Sequence, residues 1–202
     1  MTSSPFLDLV AERVVVYDGA TGTWLQTQDL SLDDYGGEAF EGCTDVLGVT
    51  RPDVIAALHT AYFEVGADVV ETNTFGAFGV PLGEYDIPER AHELCVANAR
   101  IAREVADGFS TPDRKRFVAG SLGPGTKSPS LSQIRFAELR DHYQVAAEGL
   151  LEGGVDLFIL ETHFDLLAVK AAVIGVRRAM AKAGRQVPIQ CQVTMELTGR
   201  ML

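Results

Sequence analysis

The sequence predicts an α/β protein of the (β/α)8 TIM-barrel type, of which these residues supply about the first five strands. Three observations point there. Short apolar runs alternate with amphipathic helical stretches, the pattern of a sheet with helical crossovers. Four of the five runs are near-continuous and β-branched or aromatic, as expected of parallel strands covered on both faces. One plan also recurs, in Gly66-Ala67-Asp68-Val69-Val70-Glu71-Thr72 and in Gly154-Val155-Asp156-Leu157-Phe158-Ile159-Leu160-Glu161-Thr162: a helix stop, an Asp, an apolar strand, then Glu-Thr at the strand's carboxyl end. Two strands presenting Glu-Thr at the same end suit a barrel whose polar mouth gathers loops from many strands. No Gly-x-Gly-x-x-Gly follows the first run, so an open dinucleotide-binding sheet is not supported.

In chain order, the expected strands are Val14–Tyr17, Asp68–Val70, Phe117–Ala119, Leu157–Leu160 and Val187–Val193. The last mixes in Gln190 and Gln192, which turns one of its sides toward something polar. The first helix is expected to start at Thr50-Arg51-Pro52, with Thr50 as N-cap and Pro in the first turn, where its missing N–H costs nothing. Val54, Ile55, Leu58, Tyr62 and Val65 follow helical spacing, and Gly66 ends the run. A second helix begins near Pro88 and carries Ala91, Leu94, Ile101 and Val105 on one stripe, with Cys95 as a small core residue. A third spans about Phe136 to Glu152 and stops at Gly153-Gly154; a fourth spans about Leu166 to Ala183 and stops at Gly184.

Composition bounds the function. The 202 residues include 28 acidic and 17 basic, a net charge of −11, which repels phosphate backbones and anionic lipid and disfavours nucleic acid or a membrane surface as main partner. No apolar stretch approaches the roughly 20 residues of a membrane span, and no secretory signal opens the chain. Three cysteines, Cys43, Cys95 and Cys191, lie far apart with no Cys-x-x-Cys, so a reducing, cytoplasmic setting is expected and no metal site is assigned here. A complete barrel needs about 250 residues, so residues 1–202 read as a single, truncated domain, the N-terminal part of a barrel whose first and fifth strands are edges.

Chemistry is expected at the strand ends. Asp18-Gly19-Ala20-Thr21-Gly22-Thr23 follows the first strand; its small residues let backbone N–H groups approach a carboxylate or phosphate, and Asp18 could receive an ammonium group. The alternative is a tight turn with Asp18 as a helix cap. Glu71-Thr72-Asn73-Thr74-Phe75 places too many polar residues at a strand end for turn chemistry alone. Glu161 should point out of the same end, and His163 beside it reads as a hydrogen-bonded loop residue rather than a base. Ser121-Leu122-Gly123-Pro124-Gly125-Thr126-Lys127 lacks the spacing of a phosphate loop. Carboxylates beside a glycine-bearing turn suit a small zwitterion such as an amino acid.

Together, Asp18–Thr23, Val49-Thr50-Arg51-Pro52, Gly66-Ala67-Asp68 with Glu71–Gly76, and Gly120–Lys127 resemble the homocysteine S-methyltransferase family. The Gly-Pro-Gly-Thr-Lys loop is most similar to its cobalamin-dependent methionine synthases. The resemblance implies a homocysteine-binding barrel in which Asp18 and Glu161 hold the substrate amino group. Gly19, Ala20, Thr21 and Gly22, with Thr72, Asn73 and Thr74, would shape the carboxylate end. It implies a zinc ion that activates the thiol, bound by cysteines that match no position in this chain. It also implies cobalamin and methyltetrahydrofolate bound by other domains of the same polypeptide. Two alternatives stand beside this: a homocysteine methyltransferase using S-methylmethionine, and a non-catalytic partial-barrel module completed by another chain.

Overall fold

The computed structural model describes residues 4–201. At its centre is a parallel four-stranded sheet of β1 (Val69–Glu71), β2 (Phe117–Leu122), β3 (Leu157–His163) and β4 (Ile189–Val193), in that spatial order. Parallel neighbours need crossover connections. Here the helices α6 (Ala91–Phe109), α7 (Phe136–Gly153) and α8 (Leu166–Ala183) supply them in turn. Each ends where a glycine or polar turn takes over. Gly154 closes α7 at φ 99°, and Gly184 closes α8 at φ 64°, left-handed positions that glycine adopts without penalty.

Period-2 alternation divides the strands between two cores. Val70, Val118, Phe158 and Leu160 pack with the apolar stripes of the helices, among them Leu94, Cys95, Tyr143 and Val176. Val69, Phe117, Ala119, Leu157 and Ile159 face the other way and form a smaller inner core with Phe6. Phe6 comes from α1 (Pro5–Glu12), a helix that the apolar pattern did not reveal; its ring meets Phe117 edge-on at 5.6 Å.

The first expected strand is corrected. Val14–Tyr17 runs beside β1 in a parallel sense, but makes one bridge, Tyr17 to Val69, instead of a ladder. Its backbone bonds are Asp68 N to Val16 O at 2.7 Å, Val69 N to Val16 O at 3.2 Å and Asp18 N to Val69 O at 3.0 Å. Val15 and Tyr17 still pack on the inner core, while Val14 and Val16 are exposed. β-propensity alone does not make a strand; hydrogen-bonded neighbours do. The five expected strands are thus four and a bridged segment.

A second correction concerns Thr50. It closes the short α3 (Leu47–Thr50), and its hydroxyl bonds back to Val46 O at 3.2 Å. The N-cap of α4 (Pro52–Glu64) is Arg51, whose guanidinium bonds Asp53 and Asp34. His59, on α4, is fully buried, and loss of solvation lowers its pKa to about 4. No described helix is long and apolar enough to cross a membrane.

The recurring Gly-x-Asp element has a shared use at the amino end of the sheet. Asp68 accepts both guanidinium nitrogens of Arg13 at 2.8 Å, Arg114 at 3.0 Å and the Val16 N–H at 3.1 Å. Asp156 accepts Arg103 at 2.6 Å and the Val118 N–H at 2.9 Å. Each Asp ties its own strand to the neighbouring segment through a backbone amide, Val16 for Asp68 and Val118 for Asp156, and pairs with basic side chains around it.

Candidate functional site

At the carboxyl end, the inward face of each strand turns from apolar to polar. Val69 is followed two residues on by Glu71, Ala119 by Ser121, and Ile159 by Glu161. These three, with Asp18, line a cavity of about 450 Å³ bounded by Gly19–Gly22, Thr44, Thr72, Asn73 and Phe75. Asp18 does not cap a helix: α2 (Thr21–Leu25) has Ala20 at its N-cap with no side-chain bond. The Asp18 carboxylate instead accepts the Glu71 N–H at 2.9 Å, which fastens the loop to β1.

No Lys, Arg or His lines the cavity among the described residues, and the carboxyls respond to that. Burial, with a contribution from the Glu161 charge, pushes Asp18 up to about 7. Glu71 is pushed up further by burial, by the Glu161 charge and by a hydrogen bond between the two side chains. The Ser121 hydroxyl donates to Glu161 Oε1. Glu161 lies at the start of an irregular stretch where the register with β4 shifts between Leu160 and His163 and Thr162 adopts φ 59°. Bulges of this kind re-aim side chains beside sites. Past it His163 is not in a loop but buried at the end of β3, 6.2 Å from the Tyr143 ring, where desolvation lowers its pKa to about 4.

Of the nine residues singled out from the sequence, eight line the cavity: Asp18, Gly19, Ala20, Thr21, Gly22, Thr72, Asn73 and Glu161. Thr74 does not. It is fully buried behind the wall, its hydroxyl bonded to Ser121 O at 2.7 Å and paired with Thr72 Oγ1 at 2.6 Å. Thr72 in turn accepts the Ser121 N–H at 3.0 Å, and the Asn73 amide donates to Thr44 O at 2.8 Å. Glu71, Phe75 and Ser121 also line the cavity, although they stand out in the sequence only as members of the runs Glu71–Phe75 and Ser121–Lys127, without a role of their own. The signal for Glu71 was present, because it occupies the same place in the repeated plan as Glu161. Phe75 is held by glycine: a Cβ on Gly123 would lie 2.6 Å from its ring. Gly19 is similarly tight, with the Tyr62 hydroxyl 3.0 Å from where a Cβ would stand.

Residues 15–202 match the family model described as homocysteine S-methyltransferase. The chain belongs to the homocysteine S-methyltransferase family. It is 54% identical over 196 residues to the methionine synthase of Mycobacterium tuberculosis (strain ATCC 25618 / H37Rv) and 52% identical to that of Mycobacterium leprae (strain TN). Each match covers 97% of this chain and 16% of the relative, so the chain spans about a sixth of the length of these relatives. Among solved structures, the metallated form of the homocysteine methyltransferase MmuM from Escherichia coli superposes with a TM-score of 0.76 at 18% identity, over 98% of this chain and 69% of that one. Its apo form gives 0.68 at 19% identity, over 96% and 64%. That likeness shows the fold: the sheet and its helices are part of a TIM-type barrel.

As a member of this family, the chain raises the question of a thiol-activating metal. Among the described residues, no three His, Cys, Asp or Glu side chains converge in a way that could hold a metal ion. The cysteines do not fit the task. Cys43 is buried, with its pKa raised to about 11 mainly by desolvation; Cys95 is buried and raised for the same first reason; Cys191 stands exposed on β4. Metal-binding thiols sit where the thiolate is favoured, and the two buried ones sit where it is opposed.

Proposed function

We propose that this chain is the N-terminal part of a homocysteine-binding barrel domain, in an enzyme that methylates the homocysteine thiol to methionine with methylcobalamin as immediate methyl donor. The observation that carries the reading is the cavity: carboxyls from three segments meet with no cation among them, beside a loop of small residues. Such a place favours a ligand that brings one positive charge and a short apolar arm. Asp18 and Glu161 hold the ammonium group; Gly19–Gly22 with Thr72 and Asn73 shape the carboxylate end. Phe75 adds an apolar ring to the cavity wall. Family membership and the methionine synthase relatives support the reaction class.

Zinc, cobalamin and methyltetrahydrofolate belong, in this proposal, to other parts of the polypeptide. These residues bind and orient the amino acid; they supply no metal set. Calorimetric titration of L-homocysteine into the intact protein tests the reading. Binding that weakens in Asp18→Asn and Glu161→Gln with unchanged metal content is expected, and equal affinity in both variants would overturn it. Turnover with methylcobalamin but not with S-methylmethionine separates the two donors.

A further inference from the structure

Resting on that reading, we propose that Asn98, a buried residue of α6 outside the cavity, is a positioning residue for the amino-acid site: its carboxamide pins the Asn73 amide and the Thr44–Asp45 turn together, so that this part of the wall is built before the ligand arrives.

Asn98 is fully buried on α6, in company with Leu94, Cys95, Ala99 and Ala102. An amide in such a place is costly unless its polar atoms are bonded. Its nitrogen donates to Asp45 O and to Leu94 O, both at 2.9 Å, and its oxygen accepts a hydrogen of the Asn73 amide at 3.2 Å. The Asn73 amide also donates to Thr44 O at 2.8 Å. Backbone carbonyls only accept, so Thr44, Asp45 and Leu94 fix which way both carboxamides face. Asn73 and Thr44 line the cavity; Asn98 does not. Gly48 is an independent sign of the same arrangement. It lies within α3 without a left-handed φ, yet a Cβ there would overlap the Asn98 carboxamide. Glycine is unfavourable inside a helix, and here its lack of a side chain leaves the room that Asn98 occupies. Gly76 repeats the device. Asp45, whose carbonyl Asn98 holds, accepts the Gly76 N–H at 3.1 Å, and a Cβ on Gly76 would stand 2.9 Å from its carboxylate. The Thr44–Asp45 turn is thereby tied to Asn73 on one side of Phe75 and to Gly76 on the other. With both of its amide hydrogens committed, Asn73 is held in one orientation, and a wall already ordered spares the ligand the cost of ordering it.

Two variants of the intact protein separate positioning from a purely structural role. Asn98→Leu keeps the volume and removes every side-chain bond, whereas Asn98→Asp keeps an oxygen for the Asn73 amide. Urea denaturation is set beside calorimetric titration of L-homocysteine. Both variants should lower the denaturation midpoint. Only Asn98→Leu should weaken homocysteine binding, about three- to tenfold, the worth of one neutral hydrogen bond. In an Asn73→Ala background it should weaken binding no further. Unchanged affinity in Asn98→Leu, equal losses in the two variants, or the same loss when Asn73 is already replaced would overturn the inference and leave Asn98 a residue of the core alone. Should Asn98→Leu misfold, nitrogen-15 NMR of the Asn73 side-chain amide in the unaltered protein gives the answer. Its hydrogens should exchange slowly with solvent before homocysteine is added as well as after. Exchange at the rate of a free amide until the ligand arrives would contradict the inference while leaving homocysteine binding intact. If homocysteine does not bind the unaltered protein, the functional reading falls, and this inference with it.

Discussion

The two ends of the sheet carry the same kind of residue in opposite circumstances. At the amino end, Asp68 is almost completely buried, yet it is satisfied by two arginines and a backbone amide, which hold its carboxyl well below the usual range. At the carboxyl end, Asp18 and Glu71 are only half-buried, yet they meet other carboxyls and no cation, and both are pushed up. Each copy of the repeated plan contributes one carboxylate to each end, Asp68 with Glu71 and Asp156 with Glu161. Burial alone therefore does not mark a functional acid. What separates the ends is whether the fold itself supplies the counter-charge.

The largest effect should come from the satisfied end. Removing one partner of a buried, hydrogen-bonded ion pair costs about 3–5 kcal/mol, and the partial exposure of Arg13 and Arg114 discounts that. Asp68→Ala should lose about 2–3 kcal/mol in urea denaturation, because it orphans Arg13, Arg114 and the Val16 amide together. A loss below about half a kcal/mol would break the comparison at its strong end. Asp156→Asn should cost less, about 1 kcal/mol, since Asp156 is itself 16% exposed against 1% for Asp68, and Asn keeps an acceptor oxygen for Arg103.

At the open end the direction changes. Asp18→Asn and Glu161→Gln should leave stability unchanged or raise it, while each lowers homocysteine affinity about 10- to 100-fold, the worth of a charge-assisted hydrogen bond. A stability loss matching that of Asp68→Ala would make these carboxylates structural.

A further effect is a pH trend that runs in opposite senses at the two ends. Asp68 has a lowered folded pKa, so its contribution is present above the unfolded value near 3.8 and is lost as pH falls through the folded value. Asp18, raised to about 7, contributes stability below 3.8 that is lost as pH rises toward 7, because there the folded state binds more protons than the unfolded state. Asp18→Asn should therefore gain on the wild type between about pH 4 and 7, and denaturation midpoints across that range would show it. His59 and His163, lowered to about 4, act in the other sense, losing stability as pH falls below 6.5 in both proteins, so they cancel in the difference.

Much of this was legible in the residues, for identifiable reasons. Buried parallel strands are continuous apolar runs, so β2 and β3 are visible; β4 shows instead as Ile189, Cys191 and Val193 alternating with glutamines, and glycine stops bound α7 and α8. Asp18 and Glu161 are visible because a carboxylate after apolar residues has few structural explanations. Val14–Tyr17 has the side chains of a full strand, while strand formation depends on hydrogen bonds made by distant residues. Phe6 on α1 is not legible, because its burial depends on an inner face that exists only after the sheet forms. Thr74 follows Thr72 and Asn73 in sequence, yet adjacent residues at a strand end point in different directions. Glu71 is masked by the polar run it opens, although two-residue alternation from Val69 sets it on the inward face.

The most direct test of the central claim is a carbon-13 NMR titration of the intact protein labelled at the Asp and Glu carboxyl carbons, with and without homocysteine. The account expects Asp68 to stay ionised well below the usual Asp range, and a resonance absent from Asp18→Asn to titrate near pH 7 and become fully ionised when homocysteine is added. Carboxyls at both ends titrating alike between about pH 3 and 5, with no change on adding homocysteine, would contradict it.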